Sequence, residues 1–189
     1  MPAEPRQYKS LDGYGYRPQR WDSLCTNRIS GSRLFYGCNR KGNNLYANCL
    51  LALDAATGKK LWHYQLVHHD IWDRDPPAPP NLMTITRKGP DGRPIKVDVV
   101  ALVTKQGFTF VFDRVTGKPV FPIKEVVFLQ EVVRGEKARP TQPIPQWPAP
   151  LVRQAFTEKE LNPFAADRNS LLNILKKSKY RIPMYSINW

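Results

Sequence analysis

The chain has 189 residues, of which 41% are hydrophobic, and this length and composition suit a packed core and argue against disorder throughout. Eighteen prolines argue against a helical bundle and favour turns and extended connections. The formal net charge of +13 would suit an anionic partner, but the basic residues are scattered and no nucleic-acid motif accompanies them. We therefore expect no nucleic-acid partner.

The three cysteines, Cys25, Cys38 and Cys49, contain no Cys-x-x-Cys pair and give no support for a zinc cluster or an attached haem. One disulfide with a spare thiol and three free thiols are both compatible with the sequence. The first ten residues lack the apolar run of a secretion signal, and no apolar stretch approaches the ~20 residues that span a bilayer. The sequence as it stands predicts a soluble chain with no targeting segment.

Residues 1–33 are polar and irregular in pattern, and we leave them as an unassigned irregular segment. From Leu34 onward, short apolar runs alternate with turn residues, which is typical of sheet proteins. Residues 34–135 are therefore predicted to form strands. Residues 136–189 are predicted to form a Pro-rich connection and one or two short helices, because five prolines between Pro140 and Pro150 precede leucines at helical spacing.

Two segments within the predicted strands repeat one pattern. "LALDAATGKKLW" and "FVFDRVTGKPVF" each end an apolar strand at an aspartate, Asp54 or Asp113, and continue through Thr-Gly to an aromatic residue, Trp62 or Phe121. Aspartate accepts hydrogen bonds from turn amides, and glycine adopts the left-handed backbone angle that such a turn requires. We expect two tight hairpins, with Trp62 packing on a neighbouring sheet, and the repetition suggests repeated sheets.

Two further patterns complete the predicted elements. Between the repeats, Val97 to Val103 and Phe108 to Phe112 read as a hairpin around a turn that contains Lys105. Near the carboxyl end, Thr157 and Glu160 form a possible capping box for a helix. The leucines at helical spacing beyond it are Leu171, Leu172 and Leu175.

The segment "VHHDIWDRDPPAPP", from Val67 to Pro80, concentrates two histidines, three aspartates and a tryptophan ahead of four prolines. His68 and His69 point to opposite faces in an extended chain, so structural hydrogen bonding is favoured over a shared metal site. Asp75 follows Asp73 by two residues and lies on the same side, where it could approach a metal or remain a solvated carboxylate. From these residues alone, an aspartate in a loop is usually a turn cap or a solvated charge.

Asn44 to Pro80 and Ala101 to Val126 resemble the quinoprotein alcohol and glucose dehydrogenases, and most closely the glucose and quinate branch. The His-His-Asp-x-Trp-Asp block and the Lys-x-Gly-Phe turn occur in the order of that branch, and the likeness covers roughly residues 35–165. The resemblance implies an eight-bladed β-propeller that holds pyrroloquinoline quinone (PQQ) near its axis, above Ca²⁺ or a similar cation. The predicted fold is therefore all-β, a partial propeller with a Pro-rich, partly helical insertion at its carboxyl end.

The resemblance also implies site residues. Asp73 matches the catalytic base and Lys105 matches the lysine that contacts the quinone, whereas a lysine in such a turn is otherwise most often a surface charge. His68, His69, Asp70 and Trp72 would form a supporting shell. Removal of the hydroxyl proton by a positioned carboxylate and stabilisation of the developing charge by a fixed ammonium explain why these residue types are needed. The predicted reaction is oxidation of a sugar, polyol or alcohol.

Some parts of the family pattern differ here. The segment "DSLCTNRISGSRL" does not match the family's metal-binding asparagine segment, so we name no metal ligand. At about 40 to 50 residues a blade, the length allows about three blades, and we expect an internal fragment that is inactive alone. By resemblance, the site lies in the periplasm or at the periplasmic face of the inner membrane, with a membrane quinone or cytochrome as electron acceptor. The alternative is a non-catalytic propeller scaffold that binds proteins at the bacterial envelope.

Overall fold

The computed structural model describes residues 14–17, 22–27, 42–128, 138–154 and 158–177. Within these ranges the chain forms antiparallel strands, one short 3-10 helix at Glu158–Glu160 and one α-helix. The strands are β1 (Tyr14–Arg17), β2 (Asp22–Asn27), β3 (Cys49–Asp54), β4 (Lys60–Gln65), β5 (Asn81–Lys88), β6 (Pro94–Val103), β7 (Thr109–Asp113), β8 (Ile123–Val127) and β9 (Thr141–Pro145). The α-helix is α1 (Arg168–Lys177).

The first sheet has four strands in the order β1-β2-β3-β4. Its first two strands lie within residues 1–33, so the expectation of an irregular segment is wrong for these ten positions. β2 pairs with β3 along its whole length, from Asp22 opposite Asp54 to Asn27 opposite Cys49. The backbone of β3 supplies the partner for β2, and a partner of this kind cannot be read from the local pattern of residues 1–33.

The second and third sheets follow in chain order as β5-β6-β7 and β8-β9. The predicted hairpin is confirmed, because β6 runs to Val103 and β7 begins at Thr109. β9 lies in the segment that we predicted to be a Pro-rich extended connection. Pro143 and Pro145 are compatible with this strand because, among the described residues, it pairs only with β8 and its other edge has no partner strand.

The two repeated turns have the same hydrogen bonds. In each, the aspartate Oδ1 accepts from the amides two and three residues later, at 3.0 and 2.8 Å for Asp54 and at 3.0 and 2.7 Å for Asp113. Gly58 and Gly117 both have φ of 70°, as the pattern predicts. After the second turn the return chain makes only an isolated bridge at Pro119, whose missing N–H shortens the ladder.

One hydrophobic core joins all three sheets, and Trp62 packs against it. Trp62 lies 6.3 Å from Phe112 between ring centroids, and a Cβ built on Gly117 would come within 2.6 Å of its ring. The prediction that Trp62 packs between sheets is therefore confirmed. The buried members of the core are Leu50, Ala52, Leu66, Val67, Val100, Leu102, Phe108, Phe110, Phe112, Phe128 and Ile144.

The helix α1 confirms the prediction of a short helix in residues 136–189. Its three leucines at helical spacing are half-buried, and Ile174 is exposed. Glu160 of the predicted capping box ends the 3-10 helix, while Thr157 lies outside the described residues. In the part of the chain that the structure describes, no helix combines the length and the apolar character needed to cross a membrane.

Candidate functional site

The loop between β4 and β5 carries the predicted base. Two residues in this loop have left-handed backbone angles, His69 with φ of 44° and Asp73 with φ of 58°. Few residues other than glycine adopt this region, and aspartate is among those that tolerate it best. These two reversals turn the chain away from an extended path and expose the Asp73 carboxylate, whose side chain is 56% accessible.

Asp70 anchors this loop from the inside. Its carboxylate is 2% exposed and accepts hydrogen bonds from the Trp72 amide at 2.8 Å and the Arg74 amide at 2.5 Å. The side-chain amide of Asn48, also fully buried, donates to Asp70 Oδ2 at 2.9 Å. This buried carboxylate holds the backbone on both sides of Asp73, so the position of Asp73 is set by contacts of its neighbours.

Aromatic packing covers the same loop. The guanidinium of Arg74 lies 4.3 Å from the Trp72 ring centroid and 5.9 Å from that of Phe128. The Trp72 and Phe128 rings are themselves 6.2 Å apart. Phe128 follows β8, so these contacts tie the loop to the third sheet. A buried cation between aromatic faces stabilises this packing.

The two histidines make structural hydrogen bonds, as the sequence predicts. His68 Nδ1 lies 2.9 Å from Gln65 Oε1, and its Nε2 lies 3.1 Å from Glu125 Oε1. His69 Nδ1 lies 2.7 Å from the Gly42 carbonyl oxygen, which accepts a hydrogen from that nitrogen. The two rings have separate partners and do not converge on one metal site.

Gln142, on β9, holds the backbone of His68 with both ends of its side-chain amide. Gln142 Oε1 accepts from the His68 amide at 2.8 Å, and Gln142 Nε2 donates to the His68 carbonyl at 2.7 Å. Gln142 is buried, so these two bonds are shielded from water. They fix the start of the loop to the third sheet.

Lys105 lies in the turn between β6 and β7. Residues 151–154, later in the chain, pack on this turn and hydrogen-bond to it. Gly107 has φ of 78°, and a Cβ at this position would lie 2.4 Å from a methyl group of Val152. The Leu151 amide donates to the Gly107 carbonyl at 2.8 Å, and Gln154 Nε2 donates to the preceding carbonyl at 2.7 Å. Glycine is therefore required both for the backbone angle and for the close approach of Val152.

The structure brings Asp73 and Lys105 into direct contact. Lys105 Nζ donates to the Asp73 backbone oxygen at 2.9 Å and lies 3.2 Å from Asp73 Oδ2. It also donates to Asp75 Oδ1. The Lys105 side chain is 37% exposed and that of Asp75 is 9% exposed. An ammonium between two carboxylates, one accessible and one buried, is the charged centre of the candidate site.

The charges of this centre favour the protonated lysine. The hydrogen bond to Asp75 raises the pKa of Lys105 above its ordinary value, and Asp73 adds to this effect, while partial burial acts in the opposite direction. Lys105 is therefore a stable ammonium over the physiological range of pH. An ammonium of this kind can donate a hydrogen bond to an electron-rich oxygen of a ligand.

Asp75 is not the solvated carboxylate that was one of the two alternatives left open by the sequence. It is buried and paired with Lys105. Across the described ranges, no group of three or more histidine, cysteine, aspartate or glutamate side chains is arranged to hold a metal ion. Cys49 is a free, buried thiol, and burial raises its pKa to about 12.

Sequence reasoning missed two residues that position the predicted ones, Gln142 and Gln154, and it did not pair Asp75 with Lys105. Asp75 binds Lys105, Gln142 holds the His68 backbone, and Gln154 holds the Lys105 turn. The spacing of Asp75 from Asp73 was a usable signal, because both carboxylates do face the same ammonium. No local signal identifies Gln142 or Gln154, which lie far along the chain from their partners.

A family model described as "Glucose/ethanol/alcohol dehydrogenase, beta-propeller domain" of the PQQ type matches residues 30–186. The quinoprotein glucose dehydrogenase of Gluconobacter oxydans is 42% identical over 110 residues, which are 58% of this chain and 13% of that protein. The probable quinate dehydrogenase (quinone) of Xanthomonas campestris pv. juglandis is 35% identical over 127 residues, which are 67% of this chain and 16% of that protein.

Among solved structures, the quinohemoprotein alcohol dehydrogenase of Comamonas testosteroni is 28% identical, with a TM-score of 0.49. The match covers 70% of this chain and 19% of that one. The glycerol dehydrogenase large subunit of Gluconobacter thailandicus is 39% identical over 101 residues, 53% of this chain and 13% of that protein. The chain thus spans less than one fifth of the length of each of these relatives.

Proposed function

Because the chain belongs to the PQQ-type glucose, ethanol and alcohol dehydrogenase family, in its β-propeller domain, we propose that it forms the proton-accepting part of such an enzyme's active site. The proposed reaction oxidises a sugar, polyol or other alcohol by hydride transfer to PQQ. Relatives named for glucose, quinate and glycerol support this substrate class. The chain is a small share of their length, so the complete activity is part of the proposal.

The observation that carries the proposal is the contact between Asp73 and Lys105, from separate loops, at an accessible position. We assign Asp73 the role of general base. Within the described residues, Oδ1 of Asp73 has no hydrogen-bond partner, while Oδ2 faces Lys105. Oδ1 is therefore available to accept the hydroxyl proton of a substrate. A positioned base contributes about 10²- to 10⁴-fold to such a reaction.

The chemistry of the donor fits the proposed cofactor. Bound beside Lys105, PQQ would supply a two-electron acceptor for the hydride. Lys105 would donate a hydrogen bond to an oxygen of the quinone and stabilise negative charge there. The raised pKa of Lys105 supports this role, since the ammonium remains charged. For the cation that the family resemblance implies, the described residues offer no ligand set, and we assign it none.

The remaining parts of the proposal rest on the family alone. We place the enzyme in the periplasm or at the periplasmic face of the inner membrane, and we assign a membrane quinone or a cytochrome as electron acceptor. A scaffold that only binds proteins would also use the turns and core of the three sheets. It would not need a charged lysine beside an exposed carboxylate, so no observation favours it.

Two variants of the full chain test the proposal. Lys105→Ala is expected to weaken PQQ binding by about tenfold or more, because a hydrogen bond to a charged group is lost. Lys118→Ala, in an exposed turn, is the matched control and is expected to bind PQQ as the wild type does. Binding is measured by titration of the quinone absorbance. Equal binding by both variants would contradict the role of Lys105.

The base is tested separately with Asp73→Asn. This variant is expected to bind PQQ, while dye reduction with glucose, quinate, glycerol or ethanol, measured for an enzyme that contains this chain, falls about 10²- to 10⁴-fold. The assay contains the quinone and Ca²⁺. Retention of the wild-type rate would remove Asp73 from the mechanism. Absence of PQQ binding by the wild-type chain would contradict the proposed function and leave the scaffold role.

A further inference from the structure

Every donor of the Lys105 ammonium is already used. An ammonium carries three N–H groups. In this structure they face three acceptors, which are the Asp73 backbone oxygen, Asp73 Oδ2 and Asp75 Oδ1. If Lys105 contacts a quinone oxygen, as the proposed function requires, one of these three hydrogen bonds must be given up or shared.

The three contacts differ in what their loss would cost. The contact with Asp73 Oδ2 is 3.2 Å long, and that carboxylate is 56% exposed, so water can replace the lysine there. The Asp75 carboxylate is 9% exposed and would be left in a poorly hydrated place without the ammonium. The backbone oxygen of Asp73 is 2.9 Å away and belongs to a residue with a left-handed backbone angle. Exchange is therefore easiest at Asp73 Oδ2.

We propose that Asp75 is a positioning residue that holds the Lys105 ammonium in place while Lys105 exchanges its contact with Asp73 Oδ2 for the cofactor. Only one part of this inference, the exchange, rests on the proposed function. The contact between Asp75 and Lys105 is a property of the chain without any ligand. Asp75 acts through Lys105 and does not touch the substrate.

The exchange has a consequence for Asp73. Once Lys105 gives up Asp73 Oδ2, both oxygens of that exposed carboxylate can accept a hydrogen bond from a substrate hydroxyl. Asp75 keeps the lysine from leaving the site during the exchange.

Competitive labelling of lysines tests the role of Asp75. The full chain is treated with trace acetic anhydride, and the acetylation of each lysine is measured by mass spectrometry. Lys59 and Lys118, both exposed in the two repeated turns, serve as internal references. Asp75→Asn is expected to speed acetylation of Lys105 about three- to tenfold relative to these references. Asp73→Asn is expected to change it less than about twofold, because that carboxylate is exposed.

An equal effect of the two variants, or no effect of Asp75→Asn, would overturn the proposal. Retention of the fold is checked at Cys49, which is buried and should not react with a thiol reagent in a folded variant. If Asp75→Asn does not fold, the wild-type chain decides the matter. There, Lys105 is expected to react more slowly than Lys118, and an equal or faster rate would overturn the proposal.

The exchange is tested by adding PQQ to the same experiment. PQQ is expected to slow acetylation of Lys105 in the wild type and in Asp73→Asn. In Asp75→Asn, a higher concentration of PQQ is expected to be needed for the same protection. Equal protection in all three would overturn the proposal. No protection in the wild type would overturn the exchange together with the proposed function, whereas the labelling without PQQ would still decide whether Asp75 holds Lys105.

Discussion

At the scale of single residues, the exposed carboxylate of Asp73, which we propose as the base, depends on a buried acid three positions earlier. Asp73 itself is accessible, and its backbone is in a region that is unfavourable for most residues. Asp70 offsets this cost by accepting hydrogen bonds from amides on both sides of Asp73 and from Asn48. The geometry of the Asp73 carboxylate is therefore a property of the buried network.

Asp70→Ala is expected to lower the free energy of unfolding by about 2–4 kcal/mol, because it leaves several buried donors without an acceptor. Asp91→Ala is the matched control, since Asp91 is exposed in the β5–β6 turn, accepts a hydrogen bond from the Arg93 amide and lies 3.8 Å from the Arg93 side-chain Nε. A change of less than about 0.5 kcal/mol is expected there. Both values come from urea unfolding, and similar losses for the two variants would contradict the anchoring role of Asp70.

The sequence identified the two central residues of the candidate site but not the residues that hold them in place. Asp73 and Lys105 were identified by resemblance to the family, and the structure brings their side chains together. Gln142 and Gln154 were not identified, because a glutamine that binds a distant backbone has no characteristic neighbours in sequence. Asp75 shared its side of the chain with Asp73, but its burial depends on the packing of whole loops.

At the scale of elements, the two repeated turns share a backbone and differ in their surroundings. Gly58 and Gly117 have the same φ of 70°. A Cβ at Gly58 would meet nothing within 4 Å, whereas one at Gly117 would lie 2.6 Å from the Trp62 ring. Trp62 is on β4 and Gly117 follows β7, so this contact joins the first sheet to the second.

This pair separates backbone strain from packing between sheets. Gly58→Ala is expected to lower the free energy of unfolding by about 1–2 kcal/mol through its left-handed angle alone. Gly117→Ala is expected to lower it by about 1–3 kcal/mol more, because its methyl group overlaps Trp62. In a Trp62→Ala background the two glycine substitutions should cost the same. A persistent difference in that background, measured by urea unfolding, would show that Trp62 is not the cause.

The elements that were predicted correctly are those whose contacts are close together in the sequence. The Asp-Thr-Gly turns and the β6–β7 hairpin are set by residues within a few positions of one another, and both were predicted. β1, β2 and β9 were not predicted as strands, since β2 depends on the edge of β3 and β9 on the edge of β8. Strand preference is weak where the partner strand, and not the local pattern, decides the structure.

At the scale of the whole molecule, three consecutive sheets share one core and form part of a β-propeller, as the resemblance predicted. Two titratable groups of the first sheet are shielded from water, the buried Cys49 and the half-buried Tyr64, which packs against this core. Burial raises the pKa of Cys49 to about 12 from 9.0. Burial, together with the nearby Glu125, raises that of Tyr64 to about 12 from 10.0. Both groups stay protonated in the folded chain at pH values where an unfolded chain releases the proton.

Stability should therefore fall with rising pH on the alkaline side. Below pH 9 both states hold these protons, and above it the unfolded chain gains from releasing them until the folded groups titrate near pH 12. Each group contributes at most about 1.4 kcal/mol for each pH unit in its window. Urea unfolding under reducing conditions from pH 8 to 11 measures the decline. Cys49→Ala should decline less between pH 9 and 10, and an unchanged slope would contradict the assignment.

The two hydrogen bonds between the Gln142 side chain and the His68 backbone also have a consequence for biosynthesis. The two residues are 74 positions apart, and both bonds come from a side chain on β9. The ribosome synthesises the loop that carries Asp73 well before it synthesises Gln142. Until then the nascent loop lacks this tether to the third sheet, because a contact between such distant residues forms only after the intervening chain has been made. The geometry of the candidate site is thus among the last features that the growing polypeptide acquires.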